Sequence, residues 1–367
     1  MFRPSLHSQR HQFVIDFVKS NKPQKVVDLG CAECTLLKKL RFHREMELLV
    51  GVDVNGAKVR RKMNGLAPLA ADYLRPGSDP LRVELYQGSV TQKDARLRGF
   101  DLVSSIELIE HLTLSDVETF SDVLFGFMTP VAVIVSTPNA EFNPLLPGLI
   151  GFRHSDHKFE WTRAEFQSWA LKVCMTHGYE VEFTGVGHAP PGRQESVGFC
   201  SQIAVFRRLG GKVDCNVFSD DAEDVFSYSL LYSVNYPSLR DNNILRRVLV
   251  SEALYCAEKL KQGWVEERTD GRLSAHTAEG GVADGLGVYV SVPLSSLWSS
   301  STRIRSLSGT PTNLRHFLME DPQVKMNQDG SAVLLQHRDT EEEEQNILED
   351  SGFAEASKSS LCTDEDW

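Results

Sequence analysis

From residue 14 to residue 207, short apolar runs alternate with stretches of helical period, and few folds accept that alternation. β-rich runs stand at 25–29, 48–53, 81–87, 100–106 and 131–136. Helical patterns fit at 9–20, 34–41, 57–63 and 116–126. A further helix is expected at 162–176, where Thr162 and Glu165 make a capping-box pair. The runs 180–183 and 201–206 then read as a closing hairpin, with Pro190-Pro191-Gly192 between them. Strands joined through helices run parallel, and a final hairpin adds an antiparallel edge. The pattern predicts an α/β, Rossmann-like sheet of seven strands.

Such sheets hold ligands outside the carboxyl ends of their strands. The first strand ends in Asp28-Leu29-Gly30, where Gly30 permits a tight turn and close ligand approach. The second ends in Gly51-Val52-Asp53, an acid placed to accept the ribose hydroxyls of a nucleoside. An ordinary βα turn with a solvated Asp53 is the plainer alternative. A pyrophosphate needs the G-x-G-x-x-G series; here Gly30 stands without it, and Glu33 would repel phosphate. A cofactor without phosphates fits better, and S-adenosylmethionine is the obvious candidate. Asp28-Leu29-Gly30, Gly51-Val52-Asp53 and Gly88-Ser89-Val90 resemble motifs I, II and III of class I S-adenosylmethionine-dependent methyltransferases. That resemblance makes Asp28, Gly30, Asp53 and Ser89 the candidate cofactor-binding residues.

After the fourth strand comes Ile106-Glu107-Leu108-Ile109-Glu110-His111-Leu112. Glu107, Glu110 and His111 point the same way from one helical turn, or from a strand end running into a turn. Leu108 and Ile109 can anchor that turn in a core. Carboxylates mixed with imidazole suit Mg2+ or Mn2+ better than thiolate-bound zinc. A capped helix start with a surface histidine is the alternative.

The net charge of −11 is unevenly spread. Residues 339–367 hold 11 acids against one base, Lys358, whereas residues 1–210 hold 25 bases and 23 acids. The acidic balance belongs to the tail and says little against nucleic-acid binding by the body. The seven cysteines are unpatterned, which suits a reducing compartment, and Cys31-x-x-Cys34 reads as packing because no second pair follows at zinc spacing. There is no apolar signal core at the start, and the greasy region 123–135 is short and broken by Pro130. A soluble cytoplasmic protein with no membrane partner is expected. Past Gly210-Gly211 the texture changes. The expected organisation is a catalytic domain at 1–210, a poorly defined region at 211–338 with a helix near 242–262, and an acidic disordered tail at 339–367. The run 288–298 could be a strand or a short docking segment.

The Glu-x-x-Glu-His group resembles that of the small RNA 3′-terminal 2′-O-methyltransferases, the Hua-enhancer family. Phe2-Arg3-Pro4-Ser5-Leu6-His7-Ser8-Gln9-Arg10 is similar to that family's F-x-P-P-L-x-x-Q-R motif. Ser155-Asp156-His157-Lys158-Phe159-Glu160-Trp161-Thr162 is similar to its D-H-x-F-E-W-T segment, and Ser136-Thr137-Pro138-Asn139 follows the fifth strand. The resemblance covers about residues 1–208. Two departures stand out. Ser5 replaces the second proline, and Ala32 stands where relatives often carry glycine, which is tolerable unless φ is positive there.

The resemblance implies that Glu107, Glu110, His111 and His157 are catalytic and hold a divalent metal. It places Pro4, Arg10 and Asn139 near the substrate RNA. The implied reaction is metal- and S-adenosylmethionine-dependent methylation of the 2′-hydroxyl on the last nucleotide of a small RNA, which protects that end. The animal members act on Piwi-interacting RNAs, and the lack of an added double-stranded-RNA-binding region resembles them. The implied setting is a monomer meeting the single-stranded 3′ end of an RNA held by a Piwi-type protein, in cytoplasm or germ-cell RNA granules. The basic cluster Lys58, Arg60, Arg61 and Lys62 reads as a solvated face ahead of an RNA contact. Two other readings are a metal-dependent catechol-type O-methyltransferase, which the motif at residues 2–10 opposes, and a non-catalytic RNA-binding module, which the intact ligand set opposes.

Overall fold

β1 (Lys25–Leu29) sits mid-sheet because Val26, Val27 and Leu29 are all buried, so both of its faces need covering. The computed structural model describes residues 2–43, 45–210, 225–269, 283–284 and 287–336. β1 pairs in parallel with β2 (Leu48–Asp53) on one side. β3 (Arg82–Gln87) continues beyond β2, and β4 (Leu102–Ile106) lies against the other side of β1. β5 (Ala132–Pro138) follows β4, then the antiparallel hairpin of β6 (Tyr179–Val186) and β7 (Ser201–Arg208) closes that edge.

Among the described residues the sheet has eight strands, not seven. β8 (Ser229–Asn235) pairs antiparallel with β3, and the order is β6-β7-β5-β4-β1-β2-β3-β8. Most β8 residues are exposed or half-exposed, so the strand gives little apolar signal; ladder hydrogen bonds hold it. The first compact unit runs Met1–Leu245, past the boundary expected at 210.

Helices cover both faces of this sheet. α1 (Leu6–Asn21), α2 (Thr35–Leu40) and α3 (Gly56–Lys62) bury Val14, Val18, Leu36, Leu37 and Val59 against Val26, Leu49 and Leu85. A short α4 (Ala70–Leu74) precedes β3. On the opposite face, α5 (Leu114–Ser121), its π-helical continuation Asp122–Met128 and α6 (Arg163–His177) pack Phe120, Phe125 and Phe166 on Val27, Val103 and Phe206. The capping box is present at α6: the Thr162 hydroxyl accepts from the Glu165 amide and the Glu165 carboxylate accepts from the Thr162 amide. α7 (Gln194–Val197) is a single turn between β6 and β7.

The second unit begins at Arg246. It holds most of α8 (Asn242–Thr269), the helix expected near 242–262. β9 (Ala283–Asp284), β10 (Gly287–Pro293) and β11 (Ala332–Gln336) form its small antiparallel sheet. α9 (Leu294–Ser300), α10 (Thr302–Ser308) and α11 (Pro311–Met319) close a core of Leu249, Ala253, Leu297, Ile304, Leu314 and Val333. The run 288–298 is therefore β10 turning into α9. The acidic tail expected at 339–367 lies outside the described residues. Among the described residues, no helix is long and apolar enough to cross a membrane.

Tyr228, just ahead of β8, ties this added edge to the turn after β3. Its ring occupies the space a side chain on Gly88 would need. Its hydroxyl lies 2.9 Å from the Ser89 carbonyl oxygen and 3.0 Å from that of Gln92, and its amide donates to Asp94 at 2.9 Å. Tyr228→Ala should cost about 3–5 kcal/mol of stability, as for other buried aromatics. Tyr228→Phe should cost about 1 kcal/mol, the usual worth of one hydrogen bond. Urea melts will check both; a change below about 0.5 kcal/mol for the alanine variant would show a loosely attached strand instead.

Candidate active site

The turn after β1 is built from strained backbone that one carboxylate holds in place. Gly30 has φ +78°, and Ala32 and Cys34 have φ +46° and +59°. Ala32 is thus in the left-handed region, where its Cβ costs roughly 1–2 kcal/mol. Asp53 offsets part of that cost: its Oδ2 accepts from the Ala32 amide at 2.9 Å, and its Oδ1 from the Asn55 amide at 2.7 Å. Asp28 is buried, and its Oδ1 accepts from the Ser104 hydroxyl at 2.7 Å. Burial pushes its carboxyl up to about 7, with Asp53 adding to the effect and the Ser104 bond opposing it. The Ser89 hydroxyl lies 2.8 Å from that of Thr91. Cys31 and Cys34 are buried free thiols in the same turn, in keeping with a packing role. The four candidate cofactor residues thus share the carboxyl ends of β1, β2 and β3.

Beyond β4 the chain bends at Glu107, with φ +52°, into a 3-10 turn, Ile109–His111. Buried Ile109 anchors that turn, as its apolar character suggests. Ligand atoms of Glu110, His111 and His157 all lie within 4.8 Å of one another. Glu110 is fully buried; its Oε2 accepts from the Thr137 hydroxyl at 3.0 Å, and its Oε1 has no hydrogen-bond partner among the described residues. Burial, then the neighbouring Glu107 carboxylate, push the Glu110 carboxyl well up. Burial and the neighbouring His157 and His154 push the His111 imidazole down. An unpartnered buried oxygen is costly, and a carboxylate with two imidazoles is a donor set that accepts a divalent cation.

Glu107 is not in that group. Its Oε1 accepts from the hydroxyls of Ser136 at 2.9 Å and Ser201 at 2.6 Å, and its Oε2 lies 3.3 Å from Arg10 Nη1. Two hydroxyls and a guanidinium on a half-buried carboxylate make charge-assisted bonds, and Glu107 falls outside the group of three candidate ligands.

The N-terminal motif folds onto this edge through Gln9. Its Nε2 donates to the Pro4 carbonyl at 2.8 Å, and its Oε1 accepts from the Gly187 amide at 3.0 Å. Arg10 follows at the start of α1. Asn139 is fully buried and scaffolds the neighbouring loops: its Nδ2 donates to the Val197 and Phe199 carbonyls at 2.7 and 2.8 Å, and its Oδ1 accepts from the Glu141 amide at 3.0 Å. It lines a cavity of about 240 Å³ with Arg163, Phe166 and Gln202, apart from the cofactor candidates.

Sequence reasoning missed Ser136, Ser201 and Arg153. Arg153 donates to Asn143 Oδ1, the Asn139 carbonyl and the Cys200 carbonyl at 2.7, 2.6 and 2.9 Å, linking three loops. Ser136 stood without a role in the run Ser136–Asn139, and Ser201 on β7 and Arg153 in a loop carry no local signal, since such residues are common there. Glu160 was visible in the D-H-x-F-E-W-T segment but carried no role.

No protein-family model matches the chain. It is 48% identical over 274 residues to a small RNA 2′-O-methyltransferase of Xenopus tropicalis, a match spanning 72% of each chain. A small RNA 2′-O-methyltransferase of Gallus gallus is 40% identical over 368 residues, spanning 94% of this chain and 96% of the relative. Among solved structures, the small RNA methyltransferase HEN1 aligns with a TM-score of 0.56 at 31% identity, over 65% of this chain and 28% of that one. The chain belongs to the small RNA 2′-O-methyltransferase family and is an RNA methyltransferase.

Proposed function

We propose that this enzyme methylates the 2′-hydroxyl of the 3′-terminal nucleotide of small RNAs, using S-adenosylmethionine and a divalent cation, Mg2+ or Mn2+. The observation that carries the reading is the buried, unpartnered Glu110 oxygen grouped with His111 and His157 at the strand ends. Glu110, His111 and His157 would hold the cation, with Glu107 as the fourth candidate. When bound, a divalent cation supplies the positive charge that acidifies a vicinal diol and orients its oxygens. S-adenosylmethionine supplies the methyl group.

The remaining work falls to the chain's own groups. Asp53 accepts the ribose hydroxyls of the cofactor, and Gly30 lets the adenosine approach the backbone. Asp28 and Ser89 complete that side. Arg10 and Pro4 face the terminal nucleotide, and the Arg10–Glu107 ion pair sets the guanidinium beside the reacting end. Asn139 acts by holding its loops. The finer reading, that the RNAs are Piwi-interacting and presented by a Piwi-type protein in the cytoplasm, is supported by the motif resemblance. The relatives' shared name weighs against the catechol reading.

Asp53→Ala should weaken S-adenosylmethionine binding about tenfold or more, since charge-assisted hydrogen bonds are worth about 1.5–3 kcal/mol each. Calorimetry on the folded variant reads this directly, and an unchanged affinity rejects the role.

Methyl transfer to a synthetic small RNA should vanish with excess chelator, and His157→Ala should abolish it at low metal while cofactor affinity stays nearly intact. Full turnover in chelator would sink the metal reading.

The RNA end gives the sharpest test. A substrate ending in 3′-deoxyribose or 3′-phosphate should be very poor, because a cation that orients two oxygens needs both. Nuclease mapping should find the methyl group on the last nucleotide. An internal mark, or efficient methylation of the 3′-deoxy RNA, would overturn the terminal-diol reading.

A further inference from the structure

The candidate metal cluster has a supporting carboxylate that sequence reasoning gave no role. Glu160 Oε1 lies 2.6 Å from His157 Nδ1, and the two side chains are only 1% and 7% exposed. The same oxygen accepts from the Arg153 amide at 2.6 Å, and Oε2 accepts from Asn143 Nδ2. Asn143 is itself held by Arg153 Nε at 2.7 Å. The carboxylate is therefore held by two hydrogen bonds, one on each oxygen, before it meets the imidazole. A buried carboxylate oxygen offers only lone pairs, so the geometry favours a donor opposite it.

We propose that Glu160 is a positioning residue for His157. It keeps the imidazole in the Nδ1–H tautomer, which leaves the Nε2 lone pair as the free ligand on the far side of the ring. His111 is affected too, because its ring stands edge-on to that of His157, with centroids 4.9 Å apart. The inference rests on the metal reading above, with His157 as a ligand. It adds that Glu160, three residues after it, decides which nitrogen is offered and how rigidly.

The test uses the full chain, Mn2+ alone as probe, and two readouts. Imidazole 15N shifts of the metal-free protein report the His157 tautomer; titration calorimetry reports Mn2+ affinity. Wild type should show His157 as Nδ1–H. Glu160→Gln, which keeps the volume and removes the charge, should lose that preference and bind Mn2+ roughly 10–100-fold more weakly, the usual effect of losing an outer-shell partner. S-adenosylmethionine affinity should not change. If Glu160→Gln fails to fold by circular dichroism, Asn143→Ala loosens Glu160 without touching its charge and should weaken Mn2+ binding several-fold.

A wild type with His157 in the other tautomer overturns the inference, as does a folded variant that binds Mn2+ as tightly as wild type. Failure of wild type to bind Mn2+ at all is a different result: it removes the metal reading itself, and the inference with it.

Discussion

The parallel pairing of β1 with β2 on one side and β4 on the other governs where everything else can lie. The chain runs outward from β1 through β2 to β3, then crosses back to β4 and β5. That reversal opens a crevice at the carboxyl ends of the strands, the place where open α/β sheets take ligands. Register makes the crevice specific. Asp28 faces Gly51 on β2 and Ser104 on β4, so Ser104 can reach the buried carboxylate. Gly51 is required by the same register: a Cβ there would stand 2.6 Å from Leu37 Cδ1 and 2.9 Å from Cys31 Sγ. The glycine lets the turn after β1 settle on β2, close enough for Asp53 to grip Ala32.

Converging strand ends also concentrate negative charge. Asp28, Asp53, Glu107 and Glu110 share one edge, and the protein treats them differently. Asp53 is met by two backbone amides, and Glu107 by two hydroxyls and Arg10. Among the described residues, Asp28 has one hydroxyl, and Glu110 has one hydroxyl and an oxygen with no partner. The two least compensated carboxyls are the two that burial pushes up. Each is a place where an added positive charge would be favoured, which is the requirement of both a sulfonium cofactor and a divalent cation.

The core strands were readable because parallel strands buried on both faces are continuous apolar runs. The capping box at Thr162 and Glu165 was readable because both partners lie within one turn. β8 was not, because an edge strand is held by backbone hydrogen bonds that leave no mark on side-chain pattern. α9 and α10 fall in a Ser-rich stretch, where single anchors such as Leu297 and Ile304 give too few apolar positions to show a period. At the site, spacing grouped Glu107, Glu110 and His111, and the motif resemblance added His157; the structure brings the last three together and leaves Glu107 out of the group.

The sequence by itself determined the sheet, the strand ends that carry chemistry and the family, since these depend on local hydrophobic pattern and on motifs a few residues long. The tertiary structure alone decided which groups meet. Glu107 is turned aside by Ser201 and Arg10, residues 94 and 97 positions away. Ala32 takes a left-handed φ that Asp53, 21 positions on, holds in place. Asn139 is bound to carbonyls of the loop before β7 and faces inward. A side chain's direction depends on partners brought near by the whole fold, and no local window of sequence contains them.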